Sequence, residues 1–131
     1  MFSLFLRVVG SVQLVLGLAY LFAPGAILAS MGHTVPAPDL YYPLGMLAAR
    51  FIAYGLGFWV ISRQAGQHLL WVGLMALIQA IDLGVGVYYT AAGVVPWQLS
   101  AFPMFNAVWI GLVCALWFLR ENRGVSAPVI R

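Results

Sequence analysis

The sequence contains no lysine, a single cysteine and only three acidic residues. These shortages exclude whole classes of function. The basic residues are all arginine (Arg7, Arg50, Arg63, Arg120, Arg123 and Arg131), and they are scattered along the chain. The net charge of +3 is therefore spread too thinly to make a nucleic-acid face, and no nucleic-acid partner is expected. Cys114 alone forms neither an intrachain disulfide nor a CxxC redox pair. In its apolar stretch it reads as a small buried hydrophobe. The two histidines, His33 and His68, fall in segments expected on opposite sides of a membrane, so they do not jointly ligate a metal or haem. HExxH, P-loop and GxGxxG patterns are missing, and "LGVGV" at 83–87 lies inside an apolar run. Ser3, Ser11, Ser30, Ser62, Ser100 and Ser126 have no evident His and Asp companions. The reading is a non-enzyme with no cofactor of its own.

Apolar residues, by contrast, are in excess. The chain is 64% hydrophobic and 7% charged, with a mean hydropathy of +1.01. A soluble domain is nearer ~45–50% apolar and ~25% charged. Its surface must therefore face lipid. One transmembrane domain over 1–131 is expected, with four runs long enough to cross a bilayer, which takes about 20 residues each. They lie at about 4–22, 43–62, 68–90 and 100–120. The first has no basic region ahead of Arg7 and a long apolar run, so it reads as a retained helix rather than a signal peptide.

Charge sets the orientation. Arg63 lies in the 63–68 turn, and Arg120, Arg123 and Arg131 lie in the C-terminal segment, whereas 23–42 and 91–99 carry no Lys or Arg. The positive-inside rule then puts both termini in the cytoplasm. Trp59, Trp71 and Trp117 fall near the cytoplasmic ends, and Tyr20, Tyr41, Tyr42, Tyr88, Tyr89 and Trp97 near the outer ends, as two interfacial belts. Between spans one and two, "PGAILASMG" (24–32) reads as a short interfacial helix started by Pro24 and ended by Gly32. "HTVPAPDLYYP" (33–43) reads as an extended lead into span two, and "GVSAPVIR" (124–131) as a loose tail. The fold class is thus all-α: an antiparallel four-helix transmembrane bundle with one interfacial helix.

The spans carry a few polar groups. Arg50 lies about seven residues, and Asp82 about eight, from the outer ends of spans two and three. At 1.5 Å per residue both are roughly 10–12 Å below the outer boundary. A charge near a helix centre costs about 2.5–3.5 kcal/mol on insertion scales. Pairing Arg50 with Asp82 cancels the net charge and satisfies several hydrogen bonds. Gln13, Asn106, Gln79 and Tyr54 fall near the same depth, with Gln79 and Tyr54 one turn deeper on the faces of Asp82 and Arg50. This layer reads either as internal glue fixing helix register or as the floor of a ligand cavity. A proton or ion path needs polar groups continuing inward, and the residues there are mostly Leu, Val, Phe and Trp. Small residues recur at packing intervals: Gly45, Ala49, Ala53 and Gly57 in span two; Ala76, Ala80 and Gly84 in span three; Ala107, Gly111 and Ala115 in span four; and Gly10 and Gly17 beside Gln13. Such ladders let helix backbones approach, within a chain or between copies.

Three stretches, "LVLGLAYLFAPGAILASMG" (14–32), "AARFIAYGLGFWV" (48–60) and "IDLGVGVYYTAAG" (81–93), resemble those of the small four-helix bacterial membrane proteins grouped as DoxX-like, including the related DUF4345-type proteins. The resemblance covers about residues 5–118 in pattern. It implies a bacterial inner-membrane location. Some relatives are linked to quinone-dependent sulfur oxidation or to redox-stress complexes, which implies a quinone or a partner oxidoreductase. The expected function is binding of a lipophilic ligand, a lipid or quinone, at the Arg50–Asp82–Gln13–Gln79–Asn106–Tyr54 layer. The alternatives are a structural or assembly subunit, as a homo-oligomer or with a partner membrane protein, and an ion-coupled carrier. Small four-span multidrug exporters place a carboxylate in span one, where this chain has Gln13.

Overall fold

The computed structural model describes residues 1–125, which form five helices and no strand. These are α1 (Phe2–Phe22), α2 (Pro24–Ser30), α3 (Tyr41–Ile61), α4 (Leu69–Ala91) and α5 (Trp97–Val125). The four long helices are each apolar enough to cross a membrane, and only 17–28% of each spanning window is buried within the chain. The remaining apolar surface matches a lipid solvent, in which backbone groups must be satisfied inside the helix itself. The chain is an all-α, multi-pass membrane protein.

The expected spans recur with small shifts. Span two starts at Tyr41, two residues before Pro43, and is preceded by a one-turn 3-10 helix at Pro38–Leu40. The extended stretch expected over 33–43 is therefore helical from Pro38 on. Pro38 and Pro43 both sit in first turns, where a missing N–H costs little. The last helix begins at Trp97 and runs through Val125, so Gly124 and Val125 are helical. The rest of the expected loose tail, 126–131, lies outside the described residues. Inside α5, Pro103 removes one intrahelical donor, which membrane helices tolerate where a neighbouring group re-satisfies the carbonyl.

Two glycines end helices by the same device. Gly32 (φ 86) follows α2, and Gly93 (φ 71) follows α4. In each case the next N–H reaches back five residues: His33 to the Leu28 carbonyl and Val94 to the Tyr89 carbonyl, both at 3.0 Å. This Schellman closure needs a left-handed residue, a conformation that a Cβ disfavours.

The chain divides into two compact units, Met1–Arg63 and Gln64 onward. In the first, α1 and α3 form an antiparallel hairpin: Gly10 lies against Gly55 and Phe58, Gly17 against Ala48 and Ile52, and Tyr20 stacks on Phe51 at 5.9 Å. In the second, α4 and α5 do the same: Gly73 meets Phe118, Gln79 meets Gly111, and Gly86 meets Met104. Leu6, Val9, Ala48, Phe58 and Ile61 are buried in the first unit, and Val72, Met75, Met104, Ala107, Ile110 and Cys114 in the second. Cys114 is fully buried, as its apolar stretch implies.

The small-residue ladders fare differently. Ala107 is buried and Gly111 packs against Gln79, so the span-four ladder faces α4. Ala49, Ala53, Ala80 and Gly84 are exposed. The seam of the first hairpin uses Ala48 and Gly55 instead, one helical face away.

Candidate functional site

The polar residues in the spans divide into those turned into a hairpin seam and those turned out of it. Gln13 lies between Gly10 and Gly17, both packed against α3, and is only 7% exposed. Its Oε1 is buried without a hydrogen-bond partner among the described residues. An unmet buried acceptor costs about 1–3 kcal/mol, so it marks either a tolerated defect or a group awaiting a donor. Tyr54 is half-buried and meets Phe58 edge-on, with ring centroids 6.3 Å apart. From the Gly10–Gly55 and Gly17–Ile52 contacts, Gln13 and Tyr54 stand at about one level along the hairpin, with Arg50 roughly 6 Å nearer the Tyr20 end. Arg50 is exposed.

In the second hairpin Gln79 is buried at 6% exposure, its Cβ close over Gly111, and its Nε2 donates to Met75 Sδ at 3.3 Å. Asn106 is half-buried, and its Oδ1 accepts from Trp109 Nε1 at 3.0 Å. Asp82 is exposed. The expected common face of Gln79 and Asp82 is thus split. Three residues turn a helix by roughly 300°, which leaves Asp82 about 60° off the seam occupied by Gln79. Gln79 and Asn106 find partners one turn away on their own helices, which satisfies part of their polarity without outside help.

Arg50 and Asp82 share one property. Each sits mid-way along a spanning helix and is exposed, and neither is held by a charged partner among the described residues of its own unit. Hydrocarbon does not solvate such groups, so each calls for a polar or charged partner from outside its hairpin.

A second polar group lies beyond what the sequence pattern marks. At the end of the first hairpin that carries the N-terminus, Arg7 Nε donates to Ser62 Oγ at 3.1 Å, and its guanidinium lies 5.6 Å over the Trp59 ring. Ser62 Oγ donates to the Trp59 carbonyl at 2.9 Å, and Trp59 Nε1 donates to Ser11 Oγ at 3.1 Å. Arg7, Ser11, Trp59 and Ser62 thus tie α1 to α3 through side chains. The sequence shows its members only singly, an arginine near the start of one apolar run and a Trp and a Ser at the end of another, with nothing that pairs them.

No group of three or more His, Cys, Asp or Glu side chains able to hold a metal is gathered among the described residues. Comparison with family models, curated proteins and solved structures finds no match in any of the three.

Proposed function

We propose that this multi-pass protein resides in a bacterial inner membrane with both termini cytoplasmic. There it binds a lipophilic molecule with a polar head, a lipid or a quinone, in the outer half of the membrane. The residues proposed for the head group are Gln13, Arg50 and Tyr54 on the first unit and Gln79, Asp82 and Asn106 on the second. A guanidinium offers a fork of donors and a carboxyl group offers acceptors, a combination that suits anchoring a polar head group. The resemblance to DoxX-like proteins agrees with a quinone or a partner oxidoreductase.

The observation that carries this reading is the exposure of two mid-span charges with no charged partner among the described residues of their own hairpins. The unmet Gln13 Oε1 adds an acceptor that a hydroxyl-bearing head would satisfy. A purely structural or assembly role is favoured by Gln79 and Asn106, whose bonds to Met75 and Trp109 close within their own helices.

Native mass spectrometry of the detergent-extracted protein separates the two. The binding reading expects a co-purifying lipophile that persists through detergent exchange. It also expects Arg50→Leu combined with Asp82→Leu to fold and to lose that adduct. A folded wild-type protein that carries no lipophile after mild extraction leaves the structural role standing.

A further inference from the structure

We propose that the Arg7–Ser62–Trp59 cluster is a binding site for the phosphate of an anionic phospholipid, at the hairpin end that carries the N-terminus. It is separate from the mid-membrane layer and independent of the proposal above.

Arg7 lies six residues into α1, so its Cα is roughly 8 Å from the start of that helix. Its guanidinium bonds Ser62, one residue beyond the end of α3 at Ile61. The side chain therefore snorkels along the hairpin to its end, the height at which head groups sit. There it is held in place. Ser62 Oγ fixes the Nε edge, and Trp59 lies under the guanidinium. Ser62 is itself buried and pinned to the Trp59 carbonyl. The ring is pinned by Ser11.

What is left over is the useful part. The Nε–H is occupied, while the Nη groups make no hydrogen bond to any described residue. A planar guanidinium with its Nη edge free is matched to two oxygens of one phosphate. No carboxylate neutralises it within the unit, and exposed Arg63 follows Ser62 in the chain. Trp59 is 47% exposed, an apolar ring at the edge of a lipid-facing surface, which seats the glycerol and first methylenes beside the phosphate. A membrane-embedded tether of this kind fits a lipid, whose phosphate is delivered at that height, better than a soluble anion.

The test uses the full chain in detergent micelles, titrated with phosphatidylglycerol or phosphatidylcholine and read by native mass spectrometry. The wild type is expected to prefer phosphatidylglycerol by about five- to tenfold. Arg7→Gln is expected to abolish the preference, and Arg7→Lys to keep only part of it because the fork is lost. Arg63→Gln removes the same charge from the exposed turn and is expected to lower the preference by less than twofold. Ser62→Ala, which only unties the guanidinium, is expected to weaken it two- to threefold. This variant keeps the proposal testable if Arg7→Gln does not fold. An unchanged preference in folded Arg7→Gln, or in Ser62→Ala where Arg7→Gln fails, would overturn the site. So would an Arg63→Gln effect as large as that of Arg7→Gln. Displacement of phosphatidylglycerol by millimolar inorganic phosphate would overturn the assignment to a lipid.

Discussion

The two hairpins solve one packing problem in two ways. In the first, backbone meets backbone. A Cβ on Gly10 would lie 2.9 Å from the Gly55 carbonyl oxygen, and one on Gly55 would lie 2.8 Å from the Gly10 carbonyl oxygen. In the second, glycine meets side chain: Gly73 faces the Phe118 ring, Gly111 faces Gln79, and Gly86 faces Met104. Lipid removes the hydrophobic drive between helices, so close contact itself supplies the attraction. The first arrangement gains the closest approach but has no slack. The second keeps its helices apart by a layer of side chains that can adjust.

This contrast sets an order of mutational cost. Gly55→Leu should be the most damaging change, because the added atoms meet Leu14 Cγ at 2.6 Å as well as a carbonyl. A loss of about 3 kcal/mol or more is expected in equilibrium unfolding in mixed micelles. A loss under about 1 kcal/mol would mean the first seam is looser than its geometry. Gly86→Ala should cost about 1 kcal/mol or less by the same measurement, although its Cβ would lie 2.6 Å from Met104 Cγ. The thioether chain has rotamers to retreat into. Equal costs for the two substitutions would erase the distinction between the hairpins.

Gln13→Leu tests a polar group lodged in the rigid seam. It replaces an unmet buried acceptor with an apolar side chain of similar size, so stability should hold or rise by about 1 kcal/mol. A loss would mean that Gln13 is engaged by something other than the hairpin. The smallest effects belong outside both seams. At Gly45 and Gly84 an added methyl group would meet no described atom within 4 Å, so Gly45→Ala and Gly84→Ala should change stability by less than about 0.5 kcal/mol. A larger effect that depends on protein concentration, seen in light scattering, would place a second copy on those faces.

The architecture is legible in the sequence because its signals are long. Four apolar runs bounded by Pro24, Arg63 and the 91–99 loop define the helices to within a few residues, and "PGAILASMG" carries both its start and its stop. The seam is harder to read. In water, the buried face of a helix is its apolar face, but here the lipid-facing and partner-facing residues are equally apolar. Ala49 and Ala53 therefore look as suited to packing as Ala48 and Gly55, which do pack. Facing is likewise lost for Asp82, whose three-residue offset from Gln79 takes it out of the seam. In the sequence Arg7 is one of six scattered arginines, and its partner Ser62 lies 55 residues away with no local pattern linking them.

Each long helix finds its antiparallel partner within its own half of the chain, and this bears on biogenesis. Once Arg63 has left the ribosome, α1 and α3 are both available, and the glycine seam between them can close before α4 has emerged. Such a chain is built for insertion by helical pairs, with no need to wait for the fourth span. A pause once Arg63 has emerged would leave a finished hairpin in the bilayer instead of an orphaned length of hydrocarbon-seeking chain.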